Sequence, residues 1–114
     1  MTIVFISCVK TKSDKPCLAK DMYQSTLFKY SLRYARKLTT DDKIYILSAK
    51  YGVLPLNKHI SPYELTLNTF TTRKKKIWAF KCYQQLEALN VNFKEKAYFL
   101  CGENYRKYLM QKFP

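Results

Sequence analysis

Three short runs of the chain are apolar almost without interruption: "TIVFISCV" (2–9), "KIYILSA" (43–49) and "KAYFLCG" (96–102). They are rich in branched and aromatic residues and lack polar alternation, as strands buried on both faces do. The stretches between them change period. In "STLFKYSLRYARKL" (25–38), Phe28, Leu32, Ala35 and Leu38 recur at helical spacing, while Lys29, Arg33, Arg36 and Lys37 fall on the other face. Ser25 or Thr26 is positioned to cap this helix. "TTRKKKIWAFKCYQQLEALN" (71–90) predicts the longest helix, with Ala79, Cys82, Tyr83, Leu86 and Leu89 on its core face and Thr71 or Thr72 as cap. "ENYRKYLMQKF" (103–113) predicts a closing helix through Tyr105, Tyr108, Leu109 and Phe113. "TTDD" reads as a turn, and residues 10–24 and 50–70, polar and marked by proline, read as loops. The order β-α-β-α-β-α predicts one small three-layer α/β/α domain with a mainly parallel sheet, strand one central and right-handed crossovers. Nothing repetitive divides the 114 residues.

Charge adds a partner to this picture. Twenty-one Lys and Arg against eight Asp and Glu give a net charge of +13, more than solubility of a small domain requires. Nucleic acid or a nucleotide explains the excess, as does an acidic host protein; the third explanation is the codon bias of an AT-rich genome, which the Asn, Lys, Tyr and Ile usage also fits. "MTIVFISCVK" lacks a basic leader segment and reads as a first strand, and no run reaches the ~18 apolar residues of a membrane span. A soluble, cytoplasmic protein without a membrane partner is expected. The four cysteines, Cys8, Cys17, Cys82 and Cys101, form no CxxC pair, so they are read as free thiols. Neither metal nor cofactor is called for.

In an open α/β sheet, ligands sit beyond the carboxyl ends of the strands. That rule selects Ser7, Cys8, Lys10 and Lys12 after strand one. It selects Ser48, Lys50, Tyr51 and Gly52 after strand two, and Gly102 and Tyr105 after strand three. Gly52 and Gly102 are the only glycines in the chain, and both fall at strand ends. The loop after strand two carries Tyr63 and Glu64, a carboxylate available as general base or as stabiliser of a sugar cation. His59, the one histidine, reads as a solvent-exposed loop residue. Arg73, Lys74, Lys75 and Lys76 crowd the start of a helix, where cations oppose the macrodipole, so the cluster points to phosphate contact. Trp78 and Phe80 beside it are placed to stack bases, or, for Trp78, to fill the core.

These residues form a set of motifs. Ser7-Cys8-x-Lys10-x-Lys12, Met22-Tyr23-x-Ser25-x-Leu27-Phe28, Leu47 to Leu54 ("LSAKYGVL") and Pro62 to Leu67 ("PYELTL") resemble the motifs of a small family of uncharacterised bacterial and phage domains, with Met22 where that family has leucine. The resemblance covers most of residues 3–67 and continues weakly to "CGENY". That family is similar, more distantly, to the uracil-DNA-glycosylase-like fold and to a domain of archaeal tRNA base-modifying enzymes. The resemblance implies a pocket for a nucleobase or nucleotide. The water-activating acid after strand one and the late histidine motif of true uracil glycosylases are absent from this sequence.

Two function classes follow. One is a nucleic-acid- or nucleotide-directed domain with N-glycosidase action on a modified base. In it Glu64 and Tyr63 are the catalytic candidates, with Tyr51 or Tyr63 stacking the base. Ser7, Cys8, Ser48, Gly52, Gly102 and Tyr105 line the pocket, and Lys10, Lys12, Lys50 and Arg73 to Lys76 bind phosphate. The other class is a non-enzymatic, phage-type binding or inhibitor protein that grips a host protein or nucleic acid; the scarcity of acids favours it.

Overall fold

The computed structural model describes residues 2–114. Its sheet contains the three expected strands, β1 (Thr2–Ser7), β3 (Ile44–Ser48) and β6 (Lys96–Leu100), with β1 between the other two and parallel to both. Strand one pairs one step beyond Ser7, since the Cys8 N–H still donates to the Leu47 carbonyl at 2.9 Å. A fourth strand, β4 (Gly52–Pro55), runs antiparallel to β3 and makes the order β4-β3-β1-β6.

Strand β4 lies inside the segment expected to be loop. The chain turns back within three residues of Ser48, and Gly52 takes φ +78°, a left-handed conformation that a side chain would strain. A Cβ at this position would also collide with the Gln85 carboxamide. That carboxamide holds both sides of the turn: it accepts from the Val53 N–H at 2.8 Å and donates to the Tyr51 carbonyl at 2.9 Å. Gln85 belongs to α3 (Thr72–Ala88), so the hairpin and the long helix are stitched together through one side chain.

The other expected loop, residues 10–24, is likewise structured. It holds β2 (Cys17–Leu18), which pairs with β5 (His59–Ile60), and the single turn α1 (Ala19–Met22). Ala19, Met22 and Tyr23 are buried. Elements this short carry too little periodicity to stand out among prolines and lysines.

Helix α2 (Thr26–Leu38) is capped by the Ser25 hydroxyl, which accepts from the Phe28 N–H at 3.0 Å, and buries Phe28, Leu32 and Ala35. Helix α3 is capped by Thr71 and buries Trp78, Ala79, Cys82 and Leu86. The expected core positions Tyr83 and Leu89 are half-buried and exposed: the buried stripe is rotated toward Trp78, and the helix ends at Ala88. The closing helix also differs from expectation. Only α4 (Glu103–Arg106) is α-helical, and a 3₁₀ turn follows at Met110–Lys112. This bend seats Phe113 against Phe5 and Phe99 of the sheet, at centroid distances of 5.6 and 5.9 Å.

Strand alternation separates two faces. Phe5, Tyr45 and Phe99 stack on the face that receives Phe113, Phe93 and, behind them, Tyr83 of α3. Ile6 and Leu100 point to the other face, where Leu27 and Phe28 of α2 lie. The crossovers from β1 to β3 and from β3 to β6 thus pass on opposite faces, which makes the carboxyl end of β1 the point where strand order reverses. Among the described residues, no helix is long and apolar enough to cross a membrane.

The clamp that Gln85 places on the hairpin has a measurable consequence. Gly52→Ala and Gln85→Ala should each destabilise the fold by about 1–3 kcal/mol, read as a lowered denaturation midpoint with unchanged slope. A Gly52→Ala protein as stable as the parent would contradict the close approach of Gln85.

Candidate functional site

A cleft of about 640 Å³ opens beyond the carboxyl end of β1. Cys8, Val9, Lys10 and Lys12 form one wall, Glu64, Leu65, Thr66, Asn68 and Thr69 another, and Tyr105 of α4 closes the base. Tyr105 is held from two directions: its hydroxyl accepts from the Cys8 thiol and from the Leu67 N–H, each at 3.4 Å. Its ring meets Trp78 edge-on at 5.7 Å. Burial pushes the Tyr105 hydroxyl up to about 12, with the neighbouring Cys8 thiol reinforcing the shift. It therefore remains a neutral hydrogen-bonding group in the physiological range.

Behind this cleft lies a buried polar node centred on Ser48. Its hydroxyl accepts from the main-chain N–H groups of Lys50 at 3.2 Å and Tyr51 at 3.0 Å, and donates to the Tyr63 hydroxyl at 2.7 Å. Tyr63 is in turn 2.7 Å from the Tyr23 hydroxyl. The Ser48 carbonyl accepts from the Trp78 indole at 2.9 Å. Burial raises both phenols well above the usual tyrosine range, Tyr63 further because Cys8 and Tyr23 lie close. Both stay protonated, so they serve as hydrogen-bonding struts and not as bases. The Lys12 ammonium sits 4.6 Å over the Tyr63 ring, and Tyr51 packs edge-on against the same ring at 5.5 Å.

The residues selected at the strand ends are thus distributed over three places. Cys8, Lys10, Lys12, Glu64 and Tyr105 line the cleft. Ser48, Tyr63 and Tyr51 stand behind it as support, and Gly52 is buried against Gln85. Ser7 and Gly102 open with Cys101 onto a second depression of about 260 Å³, on the α2 side of the sheet. Cys8, Ser48 and Gly102, expected in one cleft, therefore do not share one: Cys8 lines the cleft, Ser48 lies behind it, and Gly102 opens onto the second depression. Tyr51, expected to stack a base, ties its hydroxyl to the Ser61 main chain at 3.2 Å instead, which leaves Tyr105 as the aromatic facing the cleft.

The basic cluster connects to the cleft through one side chain. The Lys75 ammonium donates to the Asn104 carboxamide at 2.9 Å, and Asn104 donates to Asn68, a cleft residue, at 2.7 Å. Arg73, Lys74 and Lys76 are exposed, as is Lys50, whose ammonium lies 5.3 Å over the Tyr51 ring. Trp78 is core, and Phe80 is exposed on the outer face of α3. His59 is exposed on β5. All four cysteines are free, and among the described residues no group of three His, Cys, Asp or Glu stands together as a metal site.

Sequence reasoning missed Thr66, Asn68 and Thr69, which supply most of the neutral polar lining, together with Tyr23 and Gln85. The short polar run "TLNT" directly after "PYEL" is the signal that could have found the first three. No curated protein and no solved structure matches the chain significantly. A family model does match, over residues 3–114, and the chain belongs to the family of unknown function DUF6884.

Proposed function

We propose that this domain is directed at nucleic acid and holds a nucleobase or nucleotide in the cleft beyond β1, with hydrolysis of an N-glycosidic bond as the reaction. The observation that carries the reading is the composition of that cleft at the point where strand order reverses. Two lysines stand on one wall, a single carboxylate on the other, and neutral hydrogen-bonding groups between them. Its volume falls within the range of small-molecule sites. Lys10 and Lys12 suit a phosphate; Thr66, Asn68 and Thr69 suit the polar edge of a base; Tyr105 offers an aromatic surface. The motif resemblance to uracil-glycosylase-like domains supports the same ligand class.

In this reading the glycosidic C–N bond breaks with its electron pair leaving on the base, and the sugar passes through an oxocarbenium-like state. Glu64, the one carboxylate on the cleft wall, stabilises that cation. Water then adds to the sugar carbon, and its proton is taken up by the departing base. Tyr63 is a positioning residue that holds the loop bearing Glu64. A base in a duplex would first be flipped out, at a cost of a few kcal/mol that contacts with the basic surface offset.

A second reading, a non-enzymatic binding module for nucleic acid or an acidic host protein, is favoured by one observation. Glu64 is the one carboxylate on the cleft wall, so no second carboxyl group stands there as the paired acid.

Two outcomes are expected. Binding to single-stranded oligonucleotides should weaken with salt with a log–log slope of several units. Replacing Arg73, Lys74 and Lys76 together by Ala should lower that slope by about one for each phosphate the cluster neutralises. Binding that ignores salt would remove the phosphate role of this cluster. Glu64→Gln should retain base binding and a parental melting temperature while abolishing release of free base from a panel of modified oligonucleotides. Full activity in Glu64→Gln would overturn its catalytic role, and no release by the parent on any substrate would leave the binding-module reading.

A further inference from the structure

The cleft and the second depression lie on opposite sides of the chain leaving β1, and they share one residue. Val9 lines both. Val9 therefore stands between the two spaces, and the exposed Lys10 follows it directly in the chain on the cleft side.

The second depression has a different character from the cleft. Ile6, Leu100 and Val9 form apolar walls, and no charged side chain lines it. Leu27 stands on its rim and remains 71% exposed, although it sits on a helix whose inner face offers buried positions. Ser7, Ser31 and Cys101 are the lining residues that carry a hydroxyl or thiol. Gly102 leaves it open: a Cβ there would meet nothing within 4 Å. The backbone of Gly102, at φ −65°, accepts any residue. Aliphatic walls with two serines among the lining suit a planar heterocycle, which buries its apolar faces against them and carries hydrogen-bonding groups at its edge. A cation directly after Val9, on the cleft side, suits the phosphate that links two nucleosides.

We propose that the second depression is a subsite for the neighbouring base of a single-stranded nucleic acid. The strand crosses the Val9 ridge with its linking phosphate on Lys10 and places one base in the cleft and the next against Leu27 and Leu100. This inference rests on the nucleotide reading of the cleft and extends it: the ligand is at least a dinucleotide step, not an isolated nucleotide. A duplex does not fit, because the two bases face opposite sides of the ridge and cannot stay stacked on each other.

The test compares affinities for the four 5′-deoxymononucleotides with those for the corresponding 5′-phosphorylated dinucleotides, by calorimetry at fixed low salt. The parent protein should bind dinucleotides about tenfold more tightly, the order of gain expected from burying roughly 60 Å² of apolar surface. Gly102→Trp, which fills the depression without straining the backbone, should reduce the dinucleotide-to-mononucleotide ratio to about one. Leu27→Ala should reduce it by a smaller factor. Thermal melts on both variants establish that they are folded. Mononucleotide binding with no dinucleotide advantage, or an advantage that survives Gly102→Trp, overturns the subsite and leaves the cleft reading intact. Absence of any nucleotide binding overturns both.

Discussion

The hydroxyl of Ser48 is the interaction on which the rest of the site depends. Among the described residues Ser48 is the one polar side chain, tyrosines and cysteines apart, that is fully buried. Two amides of the turn converge on its oxygen, its proton goes to Tyr63, and the carbonyl of the same residue holds the Trp78 indole. Four separate parts of the chain meet there: the end of β3, the turn into β4, the loop carrying Glu64, and α3. Through Tyr63 and Tyr23 the segment between β1 and α2 joins as well. Leaving such groups unpartnered in a buried place costs about 1–3 kcal/mol each, so the network tolerates one arrangement of its members. That is why a strand as apolar as β3 ends in serine and passes into tyrosines.

The polar node and the aromatic layer divide the labour. On one face, Phe5, Phe99 and Phe113 supply non-directional burial that holds the sheet to the C-terminal segment. At the carboxyl ends of the strands, directional hydrogen bonds through Ser48, Tyr105 and Gln85 fix loops that burial alone would leave free to slide. The cleft inherits its shape from those fixed loops. The positive charge is then distributed around it. Lys10 and Lys12 are on the wall, and Lys75 is bridged to Asn68 through Asn104. Arg73, Lys74 and Lys76 extend outward on the first turns of α3, where the helix dipole opposes them.

What the sequence reveals follows the strength of its signals. The three parallel strands and two longer helices are legible because continuous apolar runs and 3.6-residue spacing extend over many residues. The caps are legible to within one residue for the same reason: of Ser25 or Thr26 and of Thr71 or Thr72, the earlier member of each pair is the cap. Strand β4 is not, because four residues ending in Pro55 resemble a loop until Gln85, more than thirty residues away, completes the turn. Nor is the break after Arg106, where helical spacing persists but Phe113 is drawn to the sheet by Phe5. Residues chosen by the strand-end rule gather at one end of the sheet but divide between two cavities. The chain passes from one cavity to the other between Ser7 and Cys8, so an error of one residue in a strand's end changes which cavity a residue meets. The support role of Tyr63 is hidden because its partner Tyr23 lies forty residues upstream.

The most direct test of the Ser48 node is a double-mutant cycle between Ser48→Ala and Tyr63→Phe, with stability measured by denaturant unfolding of the parent, both single variants and the double. Each single change removes the same hydroxyl–hydroxyl hydrogen bond from a different side. The double variant should lose less than the sum of the two single losses, with a coupling energy of at least about 0.5–1 kcal/mol. Losses that add to within a few tenths of a kcal/mol would contradict this dependence, and would mean that the loop bearing Glu64 is held by something other than Ser48.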